Sequence, residues 1–178
     1  MTYIIEFKNS IPNKLCNEII SLFEKKTEQK LNIPKNSPEW NKIEHFLYKD
    51  LLLKLNKYKN LLLSENSNGE NETVTSSLNL NTYLNDFKII KYDHVECETI
   101  IRNYEKNENR YNIVSFVFYL NDVESGGEII FKESKIKPEK GKLVIFPETT
   151  PNSYKCQMPI SNSQYIITGQ ICENINNI

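Results

Sequence analysis

The sequence predicts an α+β domain in which helices cover one face of an antiparallel β-sandwich or barrel. Three observations predict it. Helical periodicity is confined to the first third of the chain, and strand-like runs bounded by turn residues fill the rest. The third is residues 113–146, IVSFVFYLNDVESGGEIIFKESKIKPEKGKLVIF, in which strand runs alternate with two glycine-marked turns. In its first run Ser115, Val117 and Tyr119 share one side and Phe116, Phe118 and Leu120 the other. Both sides are mostly apolar, so this strand is expected to be covered on both faces.

The elements follow in order. Tyr3, Ile5 and Phe7 alternate in a short strand that ends at Asn9 and Ser10. From Pro12 to about Lys26, Leu15, Ile19, Leu22 and Phe23 recur at helical spacing with Lys and Glu opposite, an amphipathic helix. Ser37-Pro38-Glu39 opens a second helix with a capping hydroxyl, a proline at the first helical position and a carboxylate near the positive helix end. Its apolar stripe is Trp40, Ile43, Leu47, Leu51, Leu55, Tyr58 and Leu62, read as core. Residues 64–77, polar and without periodicity, read as an exposed, flexible loop.

Strands are expected at 79–84, 87–92, 98–102, 113–120, 128–131, 143–146 and 165–171. Ser125-Gly126-Gly127 and Pro138-Glu139-Lys140-Gly141 read as tight turns, and Pro147 stops the strand before it.

At 178 residues the chain is read as one domain, residues 1–178. A formal net charge of -1, with both signs interspersed, gives no field for nucleic acid or an anionic membrane, so neither is an expected partner. The amino terminus has no basic, then apolar, leader pattern and no run reaches spanning length, so a cytoplasmic location is expected. Cys16, Cys97, Cys156 and Cys172 are too scattered for a zinc motif and are read as thiols. There is no GxSxG or HExxH; Gly126-Gly127 joins strands and is no phosphate loop, and Glu96 and Glu98 read as solvated.

In this order, Tyr119-Leu120-Asn121-Asp122, Gly126-Gly127-Glu128 with Phe131, Lys137-Pro138 before Gly141, Leu143-Val144-Ile145-Phe146-Pro147, and Tyr165-Ile166-Ile167-Thr168-Gly169 run through the carboxy-terminal half. Together they resemble the prolyl-4-hydroxylase-like branch of the iron(II) and 2-oxoglutarate dependent oxygenases, including its phage and large-virus forms. Leu15-Cys16 on the first helix and the 87–92 strand fit as well, so the resemblance covers nearly the whole chain. It implies a double-stranded β-helix, or jelly roll, with the amino-terminal helices packed on one sheet.

The resemblance also implies a metal held by two His and one carboxylate, with open positions for cosubstrate and dioxygen. Counting from Tyr92, the first His and the carboxylate would fall at Ile101 or Arg102 and at Asn103, and the distal His at Tyr154. The cationic residue that pairs with 2-oxoglutarate would fall at Gln164, and the final strand's aromatic at Gln170. None of these is the residue type the chemistry needs. The chain's two histidines lie elsewhere: His45 on the second helix reads as a surface residue, and His94-Val95-Glu96 has the spelling of a metal element but stands several residues early, without a second His.

The expectation is therefore a degenerate oxygenase-like domain with no metal and no cofactor, and no catalytic residue. It would act by binding or assembly with another protein or a second copy, in the host cytoplasm or a virion if the source is viral. Two alternatives stay open. One is an active hydroxylase of a protein or small molecule; the other is a non-redox binder of a small polar molecule or peptide, using a vestigial pocket of Tyr92, Arg102, Tyr154 and Gln164.

Overall fold

A computed structural model describes residues 4–65, 82–84, 86–95, 100–101, 110–147 and 154–174. Its elements are β1 (Ile5–Phe7), α1 (Asn13–Glu24), β2 (Lys30–Asn32), α2 (Pro38–Glu65), β3 (Thr82–Leu84), β4 (Lys88–Tyr92), β5 (Ile100–Ile101), β6 (Arg110–Tyr119), β7 (Ile129–Ile130), β8 (Lys135–Ile136), β9 (Leu143–Pro147), β10 (Lys155–Gln157) and β11 (Gln164–Asn174). They form an α+β fold with two antiparallel sheets. The major sheet runs β1-β9-β6-β11-β4-β2 with β3 also on β11, and the minor sheet runs β5-β10-β7-β8.

Strand β6 sits at the centre of the major sheet, between β9 and β11. As its alternation predicts, it is buried on both faces. Phe116, Phe118 and Leu120 join Leu143, Ile145 and Ile167 in a core shared with the helices, to which α1 gives Cys16, Ile19 and Phe23 and α2 gives Trp40, Ile43, Leu47, Leu51, Tyr58 and Leu62. Val117 and Tyr119 join Val144, Phe146 and Ile166 in a second core, closed by Ile129, Phe131 and Ile136 of the minor sheet side. The helices thus cover one face of one sheet and leave the other face to an intersheet interior.

Several expectations need correction. Residues 64 and 65 are the last residues of α2, not loop; 66–77 lie outside the described residues. Pro12 precedes α1 without being part of it, and Ser37 Oγ donates to Glu39 Oε2 at 2.9 Å while its carbonyl accepts from Asn41 N. Strands β2, β8 and β10, each of two or three residues, were absent from the expected set.

The turns that carry the sequence landmarks are built by side chains. Asn121 Oδ1 accepts from Tyr165 N at 2.8 Å, its Nδ2 donates to Ser163 O at 2.9 Å, and Asp122 Oδ1 accepts from Lys140 N at 2.8 Å. Gly126, Gly127 and Gly141 all take positive φ.

Lys142 is the sole buried cation among the described residues. Its Nζ lies 2.8 Å from Glu6 and 3.2 Å from Glu139 and donates to Lys137 O at 3.1 Å. Burial pulls its pKa down, but the bonds to Glu6 and Glu139 outweigh that and leave it above the ordinary 10.5. A raised lysine pKa means a contribution that is complete below the unfolded-state pKa and is lost as pH rises through the folded one. Because both carboxylates are about 40% exposed, the contribution is discounted for solvent screening. Lys142→Ala is expected to cost about 2 kcal/mol at neutral pH. In urea melts from pH 7 upward, the gap to the parent protein should narrow above pH 10.5.

Candidate functional site

The candidate site is the interior between the two sheets. The major sheet lines it with Val117, Tyr119, Val144, Phe146 and Ile166, flanked by the half-buried Ile90 and Tyr92, and Ile129, Phe131, Ile136, Tyr154 and Cys156 lie opposite. Alternation on β6, β9 and β11 decides which side chains enter, because every second residue of a strand faces the same way. Three rings pack edge to face or tilted at one end: Phe146 to Tyr154 at 4.9 Å, Phe131 to Phe146 at 5.2 Å and Phe131 to Tyr154 at 5.8 Å between centroids.

The residues singled out from sequence fall as follows. Ile101 lies on β5 in register with Cys156 of β10, so the two stretches expected to hold metal ligands are carried by paired strands. Arg102 and Asn103, like Glu96 and Cys97, lie outside the described residues. Tyr154 is half-buried against Phe131 and Phe146. Gln164 is buried at the start of β11, opposite Tyr92 of β4, and its Nε2 donates to Gly127 O at 2.9 Å. Tyr92, Tyr154 and Gln164 are therefore brought to the same interior, and Gln170 lies further along β11, half-buried.

Neither histidine belongs to this interior. His45 is exposed on α2 and lines a groove of about 450 Å³ with Lys35, Glu44, Tyr48, Asp86 and Phe87, on the helix side of the major sheet. His94 is exposed just beyond β4. Among the described residues no three His, Cys, Asp or Glu side chains come together in a way that would hold a metal ion. Among the described residues the donor set does not fit iron held by two imidazoles and a carboxylate: the chain has two histidines in all, and His45 is across the sheet. Among the described residues, Lys142 is also the one buried cation that could meet a carboxylate ligand, and it is committed to Glu6 and Glu139. None of Cys16, Cys156 and Cys172 is in a disulfide.

Sequence reasoning missed two buried polar side chains, Tyr119 in the interior and Glu128 beside β7. Tyr119 is 1% exposed and Glu128 is 7% exposed, and neither Tyr119 Oη nor Glu128 Oε2 has a hydrogen-bond partner among the described residues. Glu128 Oε1 lies 3.2 Å from Lys135 Nζ. Burial raises the Tyr119 pKa well above that of an ordinary phenol, and Cys156, Glu6 and Glu128 push it the same way. The inward parity of Tyr119 was legible from β6; the burial of a Glu directly after two glycines was not.

Residues 78–171 match the family model described as the 2OG-Fe(II) oxygenase superfamily. Among solved structures the chain is similar to the viral collagen prolyl hydroxylase vCPH of Paramecium bursaria chlorella virus-1 in its 2OG complex, with a TM-score of 0.70 and 15% identity over 96% of each chain. It is also similar to a prolyl-4-hydroxylase of Pseudomonas putida, with a TM-score of 0.62 and 15% identity over 100% of this chain and 90% of that one. At such identities the likeness is one of fold. No curated protein sequence matches.

Proposed function

The chain belongs to the 2OG-Fe(II) oxygenase superfamily, and from that premise we propose that it is a binding domain that uses the family's scaffold without iron-dependent or 2-oxoglutarate-dependent catalysis. The observation that carries this reading is the position of the histidines. The family's metal chemistry calls for two imidazoles on one face of one site, and here His45 stands on the outer, helical side of the major sheet. Two features add support. Tyr154 is engaged with Phe131 and Phe146, and the position where a fixed cation would meet a dicarboxylate carries the neutral Gln164, bonded to Gly127 O.

The test is an anaerobic titration of the metal-free protein with iron(II) and then 2-oxoglutarate. The expected result is no charge-transfer absorbance, no thermal shift and no succinate on admitting oxygen. Stoichiometric iron that supports turnover of 2-oxoglutarate would overturn the reading and establish the hydroxylase alternative.

A binding role inside the sheets is preferred to a purely structural one on a specific observation. Buried polar atoms in folded proteins are nearly always paired, and this interior holds one, Tyr119 Oη, that has no partner among the described residues.

A further inference from the structure

All five exposed large apolar side chains among the described residues, Tyr48, Leu52, Leu53, Leu61 and Leu63, stand on α2. At 3.6 residues per turn, Tyr48, Leu52 and Leu63 fall with the half-buried Leu55 within about 80° of arc. That arc adjoins the buried stripe without belonging to it. Leu47, Leu51 and Tyr58 turn to the core, whereas Tyr48 is 46%, Leu52 44% and Leu63 51% exposed. A helix that serves one core is polar on the rest of its circumference, and apolar side chains scattered singly need no explanation. A continuous second face does, because surfaces of that kind mark contacts with another molecule.

The charges along this face fit a second copy of the chain. Glu44 lies at its edge toward the amino-terminal end of α2, and Lys59 lies within it toward the carboxy-terminal end. Lys35, beside Glu44 in the groove next to the helix, is already paired with Asp86 at 2.9 Å. In a parallel pair of such helices like charges would meet, Glu44 with Glu44 and Lys59 with Lys59. In an antiparallel pair whose two-fold axis passes beside Leu52, each Glu44 faces a Lys59 and Leu52 meets its own copy, the self-complementarity that a two-fold interface requires. The ends match in the same register. Leu63 of one helix arrives at Asn41 of the other, at the mouth of the groove of about 450 Å³ that Tyr48, Leu84 and Phe87 also line.

We propose that α2 is a homodimer interface: two copies of the chain pack α2 against α2, antiparallel, along Tyr48, Leu52, Leu55 and Leu63, with Glu44 of each copy paired to Lys59 of the other. The seam lies on the helical side of the major sheet, away from the interior between the sheets. The two proposals therefore stand or fall separately.

The test is sedimentation equilibrium of the full chain over a concentration series. A reversible dimer is expected. Leu52→Glu sets two carboxylates against each other at the axis and should weaken the dimer at least tenfold. Leu53→Glu, on a residue just as exposed but about 100° round the helix, should leave it unchanged. Both variants should keep the parent's circular dichroism, because neither side chain belongs to the core. Glu44→Lys and Lys59→Glu should each weaken the dimer, and the two together should restore it. A parallel pair would give neither the loss nor the rescue, and this exchange decides the matter should Leu52→Glu fail to fold. A monomer at every concentration would overturn the proposal. So would a dimer indifferent to Leu52→Glu, equal losses from Leu52→Glu and Leu53→Glu, or a charge exchange without rescue.

Discussion

Gly126→Ala is expected to lower the stability of the fold by about 4 kcal/mol, the size of effect tied to backbone strain plus steric conflict. The residue has φ +78, where an L side chain already costs about 1–2 kcal/mol. An added Cβ would stand 2.4 Å from Met158 O and 2.8 Å from Ile160 N, both of them backbone atoms. Neither atom is at liberty to move. Met158 O accepts from Gly127 N at 3.1 Å, and Ile160 N donates to Ser125 O at 2.8 Å, so relief of the clash breaks the joint between the 125–127 turn and the chain entering β11. Gly127→Ala is the natural comparison. Its φ is +75, but the nearest obstacle is Gln164 Nε2 at 2.9 Å, the tip of a side chain, so it should cost about half as much. Urea unfolding of the two variants side by side checks the ranking; equal losses would mean that conformation alone, and not the contact with Met158 and Ile160, governs the turn.

The second large effect concerns a ring and a missing methyl group. Phe116→Ala should cost about 4 kcal/mol, within the usual range for a fully buried phenylalanine. Its ring packs edge to face on Phe87 at 5.6 Å and on Phe118 at 5.8 Å. It also occupies the space above Gly169 on the neighbouring strand, where an added Cβ would come within 2.6 Å of the Phe116 Cζ. Gly169→Ala should therefore destabilise the parent protein, and should cost much less, or even recover stability, when Phe116 is already Ala. A coupling of at least about 1 kcal/mol in the double-mutant cycle is the expected outcome. Simple additivity would show that the ring yields to the methyl without loss.

Much of the scaffold was readable before any coordinates, because its rules are local. Alternation across 113–120 placed Phe116 and Phe118 on one side of β6 and Val117 and Tyr119 on the other, and the period of α2 picked out Trp40, Ile43, Leu47, Leu51, Tyr58 and Leu62, which are buried, and Leu55, which is half-buried. The two-glycine turn announced its positive φ values in its composition. The candidate site was less legible because it is assembled by pairings distant in sequence. That Ile101 lies beside Cys156, or that Gln164 spends a hydrogen bond on Gly127 O, follows from strand register and not from either segment alone. Glu128 shows the limit most clearly: the sequence places it at the start of a strand, and its burial beside Lys135 follows from the pairing of β7 with β8.

The major sheet, finally, separates two kinds of constraint on this sequence. On the helical side, Phe116, Ile145 and Ile167 must interlock with α1 and α2, and a change there is felt by the whole fold. Residues such as Tyr119, Tyr154 and Gln164 face the other way and meet none of those helices. Chemistry on the inner side can therefore be replaced without disturbing the packing against α1 and α2. A sheet with such a division lets a lineage exchange one ligand for another in small steps, each of them compatible with a folded protein.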